Sequence, residues 1–297
     1  MTEDIKNGWE RERRIHFDEI VINYDKIRWE YPEELYNDIF NYSKIDKNNK
    51  KSIEIGAGTG KATTPFLDNG YDVTAIELSE NMANFLQNKY NGNEKFKVIV
   101  SAFEDITLDN ENYDLIYAAS SFHWVDAEIG CPLVFNLLKN GGTFALFRNN
   151  FISDYDQKIY QEIQELYRKY YHKPYIEPLK LNENEYWEPK GIYNGFRFND
   201  LCDYGFNEIF MKSYNSIKVF SAEEYIKMLD TMSDHRSLPE NNRNALYTGI
   251  KDIILKHGGF YEVKYFYQLY MGRKSKNIEK NNGLLRITNG NCNIGLN

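Results

Sequence analysis

Glycines at positions 56, 58 and 60 follow directly on the short run Ser52-Ile-Glu-Ile, and that junction constrains the fold more than any other feature of the chain. A strand that ends in residues without Cβ can turn sharply and aim its backbone N–H groups at a ligand where a helix begins. Further strand-like segments follow at 72–77, 96–100, 113–118 and 143–147. Helical stretches separate them, over 81–89 behind a Ser79 N-cap and over 132–138 before Gly141-Gly142. Strands alternating with helices at this spacing predict an α/β fold with a doubly wound, mostly parallel sheet.

The rhythm sets the organisation of the chain. Residues 1–46 read as helical, with a new helix opening at Glu33 behind Pro32. Residues 47–148 hold the first five strands. The stretch 149–203 interrupts the pattern with a Tyr-rich amphipathic helix over 155–171 and an irregular piece carrying Trp187, and it reads as an inserted helical cover. Strand and helix signals resume over 204–273: a strand at 208–219, a Ser221–Glu224 capping box opening a helix to 232, a helix at 239–257 and a closing strand at 261–271. These last strands bring the sheet to seven. The Asn- and Lys-rich tail 274–297 has little to bury and is expected to be loose.

Composition narrows the function. The net charge of −8 repels phosphate backbones and anionic lipid, so neither nucleic acid nor a membrane is expected as a partner. No stretch approaches the roughly 20 apolar residues of a membrane span. Cys131, Cys202 and Cys292 are too scattered for a disulfide framework or a zinc knuckle, which fits a reducing, cytoplasmic compartment. The five histidines stand singly, so no metal site is expected. Aromatic residues reach 15 %, with 24 Tyr and 18 Phe; they either rim the core with hydroxyls or line a ligand cavity.

Three loop chemistries use such glycines. A P-loop fails twice, because Ile55 stands where its first glycine belongs and Ala62 where its Ser or Thr belongs. A dinucleotide fingerprint needs a third glycine where Lys61 stands, which disfavours NAD without eliminating it. Glu77 ends the second strand 21 residues past Gly56, where a carboxylate can accept from both hydroxyls of a ribose. A strand-end carboxylate of this kind is expected to be exposed when no ligand is bound.

The ordered segments IEIGAGTGKAT, AIELSENM, SAFED, YDLIYAASSFHWVD and LLKNGGTFALF resemble the successive motifs of class I S-adenosylmethionine-dependent methyltransferases of the small-molecule type, with an FHW motif after the fourth strand. FDEIVINYDKIRWEYP near the start and FSAEEYIKMLDTMSDHRSLPE with YEVKYFYQLYMGR near the end extend the likeness to residues 17–273. It implies S-adenosyl-L-methionine as cofactor. Glu54 and Gly56, Ala57, Gly58, Thr59 and Gly60 would meet its methionine moiety, Glu77 the ribose, and Leu78 and Met82 the adenine. Ala102 and Phe103 would present backbone and ring to the base, and Ala118 and Ser120 would sit beside the methyl donor. Many members carry Asp at the position of Ala102, so the contact to the adenine amino group falls to Glu104, Asp105 or backbone.

On the acceptor side the resemblance makes residues 1–46 a lid. Tyr24 and Arg28 lie one helical turn apart in it. Arg28 either pairs a carboxylate of cofactor or acceptor or forms a surface ion pair with Asp25 or Glu30. His123 is either a general base or a structural ring beside Trp124. Asp234-His235-Arg236 either caps the pocket or forms a solvated turn. No nucleophile stands out, which agrees with methyl transfer, where the protein chiefly aligns donor and acceptor. The expectation is a methyltransferase acting on a small molecule as a monomer or weak homodimer. An NAD-dependent oxidoreductase and a catalytically silent cofactor-binding protein are its competitors.

Overall fold

A computed structural model describes residues 30–44, 50–171, 200–274 and 295–296. Five strands lie parallel: β1 (Lys50–Ile55), β2 (Tyr71–Glu77), β3 (Phe96–Val100), β4 (Tyr113–Ala119) and β5 (Leu138–Phe151). The long strands β6 (Phe206–Ser221) and β7 (Phe260–Lys274) run antiparallel, with β7 inserted between β5 and β6. The order is β3-β2-β1-β4-β5-β7-β6, and a two-residue β8 (Gly295–Leu296) adds to the β6 edge. The expected seven strands are present, and that short pairing falls within the stretch expected to be loose.

Helices cover both faces, so the central strands β1, β2 and β4 are buried along most of their length rather than alternating buried and exposed residues. On one face α1 (Glu33–Ser43) buries Leu35, Tyr36 and Ile39 against Phe66, Tyr117 and Phe147. The same layer takes α5 (Lys158–Tyr170), α7 (Ala222–Leu229) and α9 (Glu240–Lys256) over the antiparallel strands. On the other face α4 (Ala127–Leu137) packs Cys131, Val134 and Leu137 on Ile116 and Phe144. The short helices α2 (Thr63–Asp68), α3 (Glu80–Lys89), α6 (Asp200–Asp203) and α8 (Ser233–Arg236) complete the set.

Several boundaries differ from the sequence reading. Helix α4 starts at Ala127, ahead of Pro132, because Asp126 caps it by accepting from the Glu128 N–H at 3.0 Å. Strand β5 continues to Phe151, since β7 pairs with it as far as Tyr265, so Asn149 belongs to the sheet and not to the insertion. Cys202 is disulfide-bonded, against the expectation from the scattered cysteines, while Cys131 is a buried free thiol. Among the described residues no helix is long and apolar enough to cross a membrane.

Strand β1 has β2 on one side and β4 on the other, so the winding reverses between β1 and β4. Open α/β sheets hold their ligands in the crevice beyond the carboxyl ends of such strands. The glycine run after β1 and Ser120–Trp124 after β4 meet there.

Candidate functional site

Gly56, Gly58 and Gly60 all take left-handed φ values, +66°, +57° and +78°, which side chains rarely tolerate. At Gly56 space matters as well, because a Cβ would lie 2.6 Å from the Cβ of Ser121. The Gly56 N–H donates to the Ile76 carbonyl at 2.8 Å, the Lys89 ammonium donates to the Thr59 carbonyl at 3.0 Å, and the Tyr90 hydroxyl to that of Gly60 at 3.0 Å. Strand β2 and helix α3 thus hold the loop from two sides.

Glu77 is buried, not exposed as its strand-end position suggested. Its carboxylate accepts from the Gly58 N–H at 2.7 Å and the Ser79 N–H at 2.9 Å. It anchors the loop and lines the cavity.

Glu54 is 1 % exposed and accepts from the Thr63 hydroxyl at 2.5 Å and the Tyr117 hydroxyl at 3.1 Å. Burial pushes its carboxyl up to about 8, with the two hydroxyls opposing and the Glu77 charge adding to the rise. A carboxyl held largely neutral at pH 7 inside a cavity is poised to ionise against an arriving cation.

At the far end Ser120 takes φ +52°, a strained conformation for a residue with a side chain. Its N–H donates to the Phe147 carbonyl at 2.8 Å, and its hydroxyl lies 2.7 Å from the Tyr31 hydroxyl and donates to Asn149 Oδ1 at 3.2 Å. Tyr31 itself stands edge-on to Phe147 at 4.8 Å. The neighbouring Ser121 hydroxyl donates to the Ile55 carbonyl, joining this end to the root of the glycine loop.

One cavity runs between these groups. It is lined by Glu54, Gly56, Ala57, Gly58, Thr59, Glu77, Leu78, Met82, Ala102, Phe103, Glu104 and Ser120 of the residues singled out from the sequence. Three of that set lie elsewhere. Gly60 packs against α3, where a Cβ would meet Leu86 at 2.8 Å and the Tyr90 hydroxyl at 2.9 Å. The Ala118 side chain joins the α4 face, and Ala119 lines the cavity instead. The His123 ring lies 4.9 Å from that of Trp124, tilted by 41°, and Trp124 lines the cavity where His123 does not. Of the alternatives at the adenine edge, Glu104 lines the cavity and Asp105 is exposed. Tyr24 and Arg28 lie outside the described residues, as does Trp187.

Sequence reasoning missed Tyr31, Lys61 and Asn149, which also line the cavity. Tyr155 and Tyr160 pack on each other, and Tyr167 and Tyr171 surround His235 rather than the cavity. Of the two alternatives for the aromatic residues, these four follow the first, packing within the protein. His235 is 3 % exposed, with Nε2 2.7 Å from the Tyr167 hydroxyl and Nδ1 3.1 Å from Asp234. The Asp234-His235-Arg236 run is therefore neither a pocket cap nor a solvated turn. Burial would raise the Asp234 carboxyl, but His235 beside it and a hydrogen bond from Tyr171 hold it well below the usual carboxylate range.

Residues 53–146 match the family described as methyltransferase domain. An uncharacterised methyltransferase of Staphylococcus carnosus is 30 % identical over 166 residues, half of this chain and 77 % of the relative. The chain belongs to the methyltransferase family. An uncharacterised methyltransferase of Mycobacterium tuberculosis is 28 % identical over 139 residues, and there the match covers 47 % of this chain and about half, 54 %, of the relative's length. The crystal structure of the YcgJ protein of Bacillus subtilis shares the fold, with a TM-score of 0.51 at 12 % identity over 83 % of this chain and all of that one.

The cofactor of the family is S-adenosylmethionine, and the donor set fits it. A buried carboxyl at Glu54 suits a cation and a carboxylate at Glu77 suits a diol. Leu78, Met82 and Phe103 give an apolar slot for a base. Thr59, whose buried hydroxyl has no hydrogen-bond partner among the described residues, lines the same cavity.

Proposed function

We propose that this chain transfers a methyl group from S-adenosylmethionine to a small-molecule acceptor. The observation that carries the reading is the continuity of one cavity. It runs from the carboxylates Glu77 and Glu54 on the donor side to the neutral Tyr31, Ser120 and Asn149 cluster over the ends of β4 and β5. The sulfonium supplies the methyl group and leaves as a neutral thioether, so the protein's work is alignment and exclusion of water. In this reading Glu77 holds the ribose hydroxyls, Leu78, Met82 and Phe103 clasp the adenine, and Glu54 faces the ammonium. Glu104 takes the edge of the base where many relatives use Asp. Ser120, fixed by Tyr31 and Asn149, marks the point where the methyl group is handed over, and Trp124 forms the acceptor-side wall. His123 acts through the packing of Trp124.

Ligand choice tests the reading. S-adenosylmethionine or its demethylated product at about 100 times the dissociation constant adds roughly 2.7 kcal/mol to stability. For a chain of this size that is a rise of about 5–10 °C in melting temperature. NAD should leave the transition unmoved. A shift with NAD and none with either adenosyl ligand would replace this reading with the oxidoreductase one. Methyl incorporation into a panel of carboxylic, phenolic and amine acceptors then identifies the acceptor class.

A further inference from the structure

Strand β5 continues beyond its last pairing with β4, Ala119 with Phe147, and so carries Asn149 onto the cavity wall. The protons of the hydrogen bonds there decide what Asn149 offers. Ser120 has one hydroxyl proton, which it donates to Asn149 Oδ1 at 3.2 Å. The Tyr31 hydroxyl, 2.7 Å from Ser120 Oγ, must then donate its own proton to Ser120. The chain from Tyr31 through Ser120 runs in one direction and ends on the Asn149 oxygen. The Asn149 Nδ2 keeps two N–H donors, and nothing among the described residues accepts from them. Ser120 itself sits at φ +52° with its N–H bonded to the Phe147 carbonyl, so a fixed neighbour sets the amide.

N–H donors suit an acceptor that presents oxygen and oppose an amine, whose own N–H groups would face them. Proton accounting narrows the oxygen further. Methyl transfer to a phenol, an alcohol or an ammonium needs a group to take a proton. The described residues at this end of the cavity are Tyr31, Ser120, Ser121, Trp124 and Asn149, and none of these side-chain types takes one near neutral pH. A carboxylate is already ionised there and needs no base. We infer that Asn149 binds the methyl acceptor through a carboxylate, donating to one oxygen while the other attacks, so that the product is a methyl ester. This rests on the methyltransferase reading above and names its acceptor class. A carboxylate lone pair forms the new C–O bond, the C–S bond breaks with its pair going to sulfur, and no proton moves. Carboxylate and sulfonium cancel each other's charge as the bond forms, so the step gains from a site that excludes water.

Acetate is the probe, with methylammonium as its cationic counterpart, each added to the full chain saturated with S-adenosylhomocysteine. The readout is the nitrogen–proton NMR spectrum, in which Asn149→Asp and Asn149→Ser each identify the Asn149 side-chain signals by deleting them. Acetate should bind saturably in the millimolar range and move the Nδ2 proton signals downfield, whereas methylammonium should leave them in place. Asn149→Asp, followed at the Trp124 indole, should weaken acetate by about 10- to 100-fold, the range of a hydrogen bond to a charged group. Its affinity for S-adenosylhomocysteine should not change. Should that variant fail to fold, Asn149→Ser carries the same comparison. Asn149 signals that ignore acetate or respond equally to methylammonium overturn the inference, as does an acetate affinity that survives the substitution. If S-adenosylhomocysteine leaves the Gly58 amide signal of the wild-type chain unmoved, the cofactor reading fails instead, an outcome seen before any acetate is added.

Discussion

Replacing Glu54 with Gln tests whether the cavity floor is built as described. In the native chain its carboxyl is pushed up to about 8 by burial, against an ordinary value of 4.5. Between those two values the folded chain keeps a proton that the unfolded chain has released, so stability falls as pH rises. The contribution is fully present below about 4.5 and is lost once pH passes about 8. Its limiting slope is about 1.4 kcal/mol per pH unit, or roughly 3–5 °C in melting temperature per unit for a chain this long. Glu54→Gln keeps the shape and still accepts from Thr63 and Tyr117, but it cannot titrate. Scanning calorimetry of both ligand-free proteins from pH 5.5 to 8 should show the wild-type melting temperature falling relative to the variant. Saturating S-adenosylmethionine should flatten the difference, because a cation beside Glu54 favours its ionised form. Binding at pH 7 should then release close to one proton, measurable by calorimetry in two buffers of different ionisation enthalpy. Parallel pH profiles for the two ligand-free proteins would refute a desolvated carboxyl at this position.

Two further substitutions address the loop anchor and the buried histidine. Glu77→Gln removes the charge that accepts from Gly58 and Ser79. The ligand-free protein should lose about 1.5–3 kcal/mol and bind S-adenosylmethionine more weakly, and an unchanged ligand-free melting temperature would show that Glu77 does not hold the loop. His235→Leu breaks the contacts with Tyr167 and Asp234 inside the helical layer. Its melting temperature should fall on the order of 10 °C while the cofactor-induced shift persists, since the cluster lies off the cavity; a folded variant with no shift would place His235 in the site.

What could be read from the sequence was whatever a local backbone demands. Three glycines in alternation are needed because φ turns positive at each, and that need shows in the sequence of any chain. The place of Glu77 at the end of the second strand follows from the same strand-and-turn spacing. What could not be read depends on partners far along the chain. Tyr31 reaches Ser120 across 89 positions, and Tyr167 covers His235 across 68, so a charged trio on a short turn looked solvated although its central histidine is buried. The exposure expected of Glu77 failed for the opposite reason, because the loop it was meant to leave free folds back and binds it. Lys61 shows the limit most directly. A motif comparison could register it only as a missing glycine, whereas the structure places it on the cavity wall next to Gly60. Positions where a residue departs from a pattern are therefore where the structure adds most, since the pattern records the shared backbone and only the structure shows what the departing side chain faces.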